Sequence, residues 1–205
     1  MDNQPQTTLL LVRHGQSTWN ALKQWQGQAD PPLSDHGRQQ AQQAATVIGA
    51  VDAIASSPQI RALETATIIS EIIGVGPVQT VDGLRERVVG EWSGLTTSDV
   101  ESQFPGWLDA GRRPPGWEHD DSFQPRVLEA LDHIMTTIAG ATALVVCHGG
   151  VIHCLEDLFE IREGRTPNLH GRVFTGVPGN IWPGERLSLT PDDMTTGGTS
   201  SASRL

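Results

Sequence analysis

The stretch LLLVRHGQSTWN, residues 9–20, constrains the fold more than any other feature of the chain. Four consecutive apolar residues, Leu9 to Val12, run without a break into Arg13, His14 and Gly15. An uninterrupted apolar run reads as a strand covered on both faces. Ending it on a cation and an imidazole puts two polar side chains at the rim of a buried sheet. Such groups are unfavourable there unless something pairs with them, so the junction points to a site.

Elsewhere, apolar β-rich segments alternate with segments of helical period. That alternation predicts an α/β fold, a three-layer α/β/α sandwich with a mainly parallel central sheet. TTLLLV is the first strand. Ser34 is the expected cap of a helix from about Asp35 to Ile48. VDAIASS is a second strand, and the next helix is expected to take Ser57 as cap and Pro58 in its first turn, with Ala62, Ala66, Ile69 and Ile73 on one face. A short strand near PVQTV precedes the irregular GLRERVVGEWSGL. Ser98 and Glu101 match a capping box. FPGWLDAGRRPPGWEHDD is too rich in Pro and Gly to be regular and reads as a long loop. SFQPRVLEALDHIMTTIAG returns to a helix, ATALVVCH is a central strand, GGVIHCLEDLFEI is a helix, and TPNLHGRVFTGVPGNIWPGERLSL is a late strand pair. Residues 1–190 read as a single domain and 191–205 as a disordered tail.

Composition narrows the partners. The 24 acidic against 14 basic side chains leave a net charge of −10, which argues against a nucleic-acid or anionic-membrane surface. If the ligand is an anion, its positive field must be local. No apolar run approaches the roughly 18–20 residues of a membrane span. MDNQPQTT lacks the features of a secretory signal, so a cytoplasmic location is expected. Cys147 and Cys154 suggest no disulfide framework.

Three segments far apart in sequence share one placement. Arg13 and His14 end the first strand, SSPQIRALET with Arg61 starts where the second ends, and CHGG with His148 follows ALVV. Ligands of open parallel sheets collect at these carboxyl ends. Helix amino termini near Ser57 and Gly149 add N–H donors and a positive dipole end. Two arginines and two histidines so arranged suit a tetrahedral phosphate better than a planar carboxylate. In isolation, Arg61 reads as a surface residue and each histidine as structural; the joint placement argues otherwise.

These residues also carry a resemblance. Arg13-His14-Gly15-Gln16-Ser17-Thr18-Trp19-Asn20, Trp25-Gln26-Gly27-Gln28, Ser56-Ser57-Pro58 with Arg61-Ala62 and Thr65-Ala66, Leu84 with Glu86, Gly90, Trp92 and Gly94, and His148-Gly149-Gly150 follow in order the blocks of the histidine phosphatase superfamily, the phosphoglycerate-mutase-like group. The resemblance covers roughly residues 8–160. It implies a phosphoglycerate-mutase-like fold and hydrolysis of a small phosphomonoester, with His14 as nucleophile. Arg13, Arg61 and His148 would hold the phosphoryl oxygens, and Glu86 would serve as proton donor and then as base for water. Asn20, Gln26, Gly27 and Gly149 would contact the substrate. Neither a metal nor another cofactor is implied, and a homodimer is left open.

Other readings of the same letters compete. Glu86 lies between Arg85 and Arg87, where an ordinary ion pair is the simpler local account. CHGGVIH has His153 where a cysteine phosphatase needs arginine, and Cys147, His148, His153 and Cys154 lack metal-site spacing. Trp19, Trp25 and Trp92 read as packing. A mutase of the group resembles this chain in the first block but carries a tyrosine after the Glu block. Here the run is Arg87-Val88-Val89-Gly90, the chain contains no tyrosine, and Gln16 replaces the mutase glutamate, which favours hydrolysis. A non-catalytic phospho-ligand binder on this fold would be expected to have lost His14, Arg61 or the acid. Whether the 105–121 loop covers the site, and whether Arg112 and Arg113 meet a carboxylate or second phosphate or stay solvated, is left to the tertiary structure.

Overall fold

A computed structural model describes residues 5–191. The expected tail, apart from Pro191, lies outside the described residues, as does the start of the chain up to Gln4. The elements are β1 (Thr7–Arg13), α1 (Thr18–Ala21), α2 (Asp35–Val47), β2 (Ala53–Ser56), α3 (Ile60–Ile73), β3 (Gln79–Thr80), α4 (Thr97–Gln103), α5 (Asp120–Thr137), β4 (Thr142–Cys147), α6 (Gly149–Leu158), β5 (His170–Val177) and β6 (Asn180–Ser188).

The strands form one sheet in the order β3-β2-β4-β1-β5-β6. The first four are parallel, and β5 and β6 add an antiparallel edge. Period-two alternation splits the strand residues between two cores. Leu9 and Leu11 of β1 and Ala143, Val145 and Cys147 of β4 face Phe123, Val127 and Leu131 of α5 and Val151 and Leu155 of α6. Val12, Leu144 and Val146 face Ala44 and Ala45 of α2 and Ala62, Ala66 and Ile69 of α3. Both faces are therefore covered, which is why β1 and β4 read as continuous apolar runs. No described helix is long and apolar enough to cross a membrane.

Local signals went astray at two helix starts. Ser57 is not the cap of α3: the helix starts at Ile60 after Gln59, which makes no side-chain cap bond. Ser57 instead gives its hydroxyl to a longer-range contact described below. The capping box of α4 is Thr96 with Asp99, two residues before the expected pair. Either pair satisfies the S/T-x-x-acid spacing; here the Thr96 hydroxyl accepts from the Asp99 N–H at 3.1 Å and the Asp99 carboxylate from the Thr96 N–H at 2.8 Å.

Candidate active site

The register of the parallel strands sets one rim. Arg13 lies opposite Cys147, and Ser56 opposite Val146. One step further, the His14 N–H donates to the Cys147 carbonyl and the Ser57 N–H to the Val146 carbonyl, each at 3.0 Å. His14, Ser57 and His148 thus leave three adjacent strands at one level.

His14 is 2% exposed. Its Nδ1 lies 2.6 Å from the Gly15 carbonyl, which only accepts, so Nδ1 carries the proton. Nε2 is left with its lone pair, which accepts from Nε of Arg61 at 3.1 Å. Burial, reinforced by Arg61 and Arg13, holds the imidazole pKa well below its usual 6.5, so the ring is neutral near pH 7. Arg61 is itself buried, and its two terminal nitrogens donate to the Ala29 and Gly27 carbonyls at 2.8 and 2.9 Å. Gly27 takes φ +50, and a Cβ there would come within 2.7 Å of Val89, so glycine is what lets this carbonyl face the guanidinium. Burial lowers both Arg61 and Arg13 to about 10, leaving them cationic at neutrality.

His148 is fully buried, its ring 5.2 Å from that of His14 in an edge arrangement. Its Nε2 shares a hydrogen bond of 2.8 Å with the Ser57 hydroxyl, and its Nδ1 has no partner. Burial and Arg61 depress its pKa too.

Glu86 is not the ion-pair partner of its neighbours, contrary to the simpler local account. Arg85 pairs with Asp82 and Arg87 with Asp120, both at 2.6 Å. The Glu86 carboxylate accepts from the backbone N–H of Arg87 at 2.8 Å and of Gly150 at 3.1 Å. Its own N–H donates to Gln59 Oε1 at 2.7 Å, and Arg126 grips the carbonyls of Gly83, Arg85 and Glu86. Gly150 comes close to Glu86: a Cβ on it would lie 2.1 Å from Oε1. On Gly149 it would make only an ordinary 3.7 Å contact with Arg13.

A cavity of about 490 Å³ joins these groups. Arg13, His14, Asn20, Gln26, Gly27, Arg61, Glu86 and Gly149 line it; His148 stands beside His14 without reaching the wall. Trp25, expected as packing, both packs on Trp92 and lines the cavity, whereas Trp92 is fully buried. The loop before α5 delivers Trp117 to the wall, but Arg112 and Arg113 stay exposed, over Trp107 at 4.1 Å and Trp117 at 5.0 Å. Neither meets the cavity. Among the described residues no group of three or more His, Cys, Asp or Glu converges as a metal site. Cys147 is a fully buried thiol whose pKa burial pushes up.

The positioning side chains escaped the sequence reading. Gln59 bridges Gly27, Ala29 and Glu86, Ser57 holds His148, Arg126 holds the Glu86 backbone, and Asn168 donates to the His14 carbonyl at 2.8 Å. Each touches a residue far away in sequence, a contact that its own local segment does not announce.

Two buried histidines held neutral make stability depend on pH. Their folded pKa values are depressed, so the unfolded chain binds more protons below 6.5. Stability is fully present above that value and is lost as pH falls toward the depressed values, by about 1.4 kcal/mol per pH unit for each histidine. Thermal melting in phosphate-free buffer should show Tm dropping about 5–10 °C per pH unit below 6.5. A flat profile from pH 7.5 to 5 would mean that the folded rings ionise freely.

The family pattern of the histidine phosphatase superfamily (branch 1) matches residues 9–171. The glucosyl-3-phosphoglycerate phosphatase of Mycolicibacterium vanbaalenii is 37% identical over 189 residues, covering 85% of this chain and 77% of its own. A 2,3-bisphosphoglycerate-dependent phosphoglycerate mutase of Methylobacterium radiotolerans is 32% identical over 187 residues, covering 83% and 86%. The native structure of the mycobacterial glucosyl-3-phosphoglycerate phosphatase aligns with a TM-score of 0.74 at 29% identity, covering 83% of this chain and 91% of the other. With that pattern spanning the strand, the rim and the cavity just described, the chain belongs to the histidine phosphatase superfamily, branch 1.

Proposed function

We propose that this protein hydrolyses small phosphomonoesters in two steps, through a phosphohistidine at His14 and without a metal ion. The observation that carries the reading is the state of His14: proton on Nδ1, lone pair on Nε2, ring neutral, beside the buried guanidinium of Arg61 and the half-buried one of Arg13. In the first step Nε2 attacks phosphorus, the ester P–O bond breaks, and Glu86 gives its proton to the departing alkoxide. The Arg61 Nε–H that held the lone pair passes to a phosphoryl oxygen. Arg13 supplies further donors, and His148, buried beside His14 with its Nδ1 unpartnered, is assigned a supporting role toward the phosphoryl group. In the second step Glu86 takes a proton from water, the oxygen attacks phosphorus, and the P–N bond breaks to release phosphate and the neutral imidazole.

Gln26 spends its Oε1 on the Ser17 hydroxyl, and Asn20 spends its Oδ1 on the Ser17 N–H and Asn168, leaving the amide NH₂ ends for substrate. Gly149 edges the phosphoryl pocket, and Gly27 acts through Arg61. The phosphatases among the relatives support hydrolysis. The absence of tyrosine and the Arg87-Val88-Val89-Gly90 run weigh against the mutase alternative. We assign the reaction to the cytoplasm, within one domain of residues 1–190, with a small phosphorylated metabolite as partner; the net charge of −10 disfavours nucleic acid and anionic membrane.

The test is a quench of ³²P-labelled ester turnover in EDTA. Label should remain on the protein in alkali and leave in acid, as phosphorus bonded to an imidazole nitrogen does. Turnover abolished by chelation, or label that is acid-stable, would overturn the proposal. Label passing to an acceptor alcohol with little free phosphate would instead select the mutase.

A further inference from the structure

The cavity is larger than a phosphoryl group needs, and its charge is uneven. Five of the chain's fourteen basic side chains line it, against one acid, Glu86, in a protein of net charge −10. Arg13 and Arg61 serve the phosphoryl pocket, and Arg87 is spent on Asp120 and the Glu118 carbonyl. Lys23 and Arg165 remain. Both are exposed, and neither side chain has a hydrogen bond or ion pair among the described residues.

Their settings differ from ordinary surface residues. Lys23 is the only lysine of the chain, and its backbone is left-handed, φ 57, just past α1. Glycine or asparagine fits that position with less strain, and a strained backbone at a cavity wall is where function is often found. Arg165 sits on the segment between α6 and β5, which is fastened to the catalytic strand. The Thr166 carbonyl accepts from Arg13 at 2.9 Å, the Thr166 N–H reaches His153 at 3.4 Å, and Asn168 holds the His14 carbonyl. The Thr166 hydroxyl is buried without a partner. A second void of about 330 Å³ continues past Arg13 and Asn20 to Arg165, Thr166, Pro167 and Asn168. Arg165 is close enough for its charge to disfavour that of Arg13, so an anion between them would relieve both.

We propose that Lys23 and Arg165 form a second oxyanion subsite at the mouth of the cavity, selecting phosphomonoesters that carry a carboxylate or second phosphate near the ester. This rests on the phosphatase reading above and adds the substrate class to it. The apolar wall of Trp25, Val89 and Trp117 would take the uncharged remainder of the molecule.

The experiment compares kcat/KM for glycerol 3-phosphate, 3-phosphoglycerate and 1,3-propanediol bisphosphate. The first two differ in a carboxylate against a hydroxymethyl group, and the third carries a phosphorylated methylene in place of the carboxylate and has no C2 hydroxyl. One of the two anions should be preferred over glycerol 3-phosphate by at least about tenfold, the factor one charge-assisted hydrogen bond supplies, and raised salt should shrink the ratio. In Lys23→Asn with Arg165→Gln the ratio should fall to near one; asparagine tolerates the left-handed backbone, so folding is protected. A ratio near one in the unaltered protein, or one that survives both substitutions, overturns the subsite. If no ester is turned over, p-nitrophenyl phosphate included, the phosphatase reading fails on its own. Calorimetric titration of 3-phosphoglycerate against orthophosphate then judges the subsite: tighter 3-phosphoglycerate binding lost in the double variant upholds it, and equal binding sinks it.

Discussion

His14→Gln is expected to lower kcat/KM toward p-nitrophenyl phosphate by at least about 10⁴-fold, the scale on which a lost nucleophile acts. Glutamine approximates the ring's length and can keep a donor toward the Gly15 carbonyl, but it offers no lone pair basic enough to take phosphorus. The neighbouring cations remain, so binding of orthophosphate should survive while turnover does not. Steady-state kinetics with a parallel titration of orthophosphate checks both halves. Residual activity within about tenfold of the unaltered protein would place the nucleophile elsewhere. The same variant removes one of the two histidines that must stay neutral on folding, so the fall in Tm below pH 6.5 should become about half as steep.

Gly150→Ala is the second large effect, and it separates stability from activity. The position is the second residue of α6, where alanine is intrinsically better than glycine by up to about 1 kcal/mol. The added methyl would lie 2.1 Å from Glu86 Oε1 and 3.0 Å from its carboxyl carbon. The carboxylate sits at the end of a flexible side chain and can swing away, so the fold should tolerate the change. Glu86 then loses the Gly150 N–H and its aim at the leaving oxygen. A displaced proton donor costs on the order of 10²–10³-fold in kcat with little change in KM. Unimpaired turnover of an alkyl phosphate, whose leaving group needs the proton most, would remove Glu86 from the mechanism. An unfolded variant would show instead that packing at the amino end of α6 matters more than Glu86 does.

Much of the fold was legible because burial writes itself into sequence. β4, covered on both faces, appears as the unbroken run ATALVVC, and α2 announces its start through Ser34, whose hydroxyl takes the Gly37 N–H at 3.0 Å. Helix starts were misread where two nearby residues had equal local claims. Ser57 and Pro58 look like a helix start, yet the Ser57 hydroxyl is drawn to His148 across the sheet, and α3 begins three residues later. Arg112 and Arg113 were reasonable candidates for a second anion, but their exposed guanidiniums lie over the Trp107 and Trp117 rings and neither lines the cavity.

The sequence by itself determined the α/β layering, the strand ends that carry Arg13, His14 and His148, and the family blocks, since each of these depends on period or on adjacent residues. Only the tertiary structure decided what holds those groups. The Nε2 lone pair of His14, left open by the Gly15 carbonyl on Nδ1, is met by Arg61 from α3, the stance of Glu86 is set by Gln59, Arg126 and Gly150, and the cationic mouth by Lys23 and Arg165 from two distant loops. Hydrogen bonds and charge act across a few ångströms of space, and the number of residues between the partners leaves no trace of that distance in the chain.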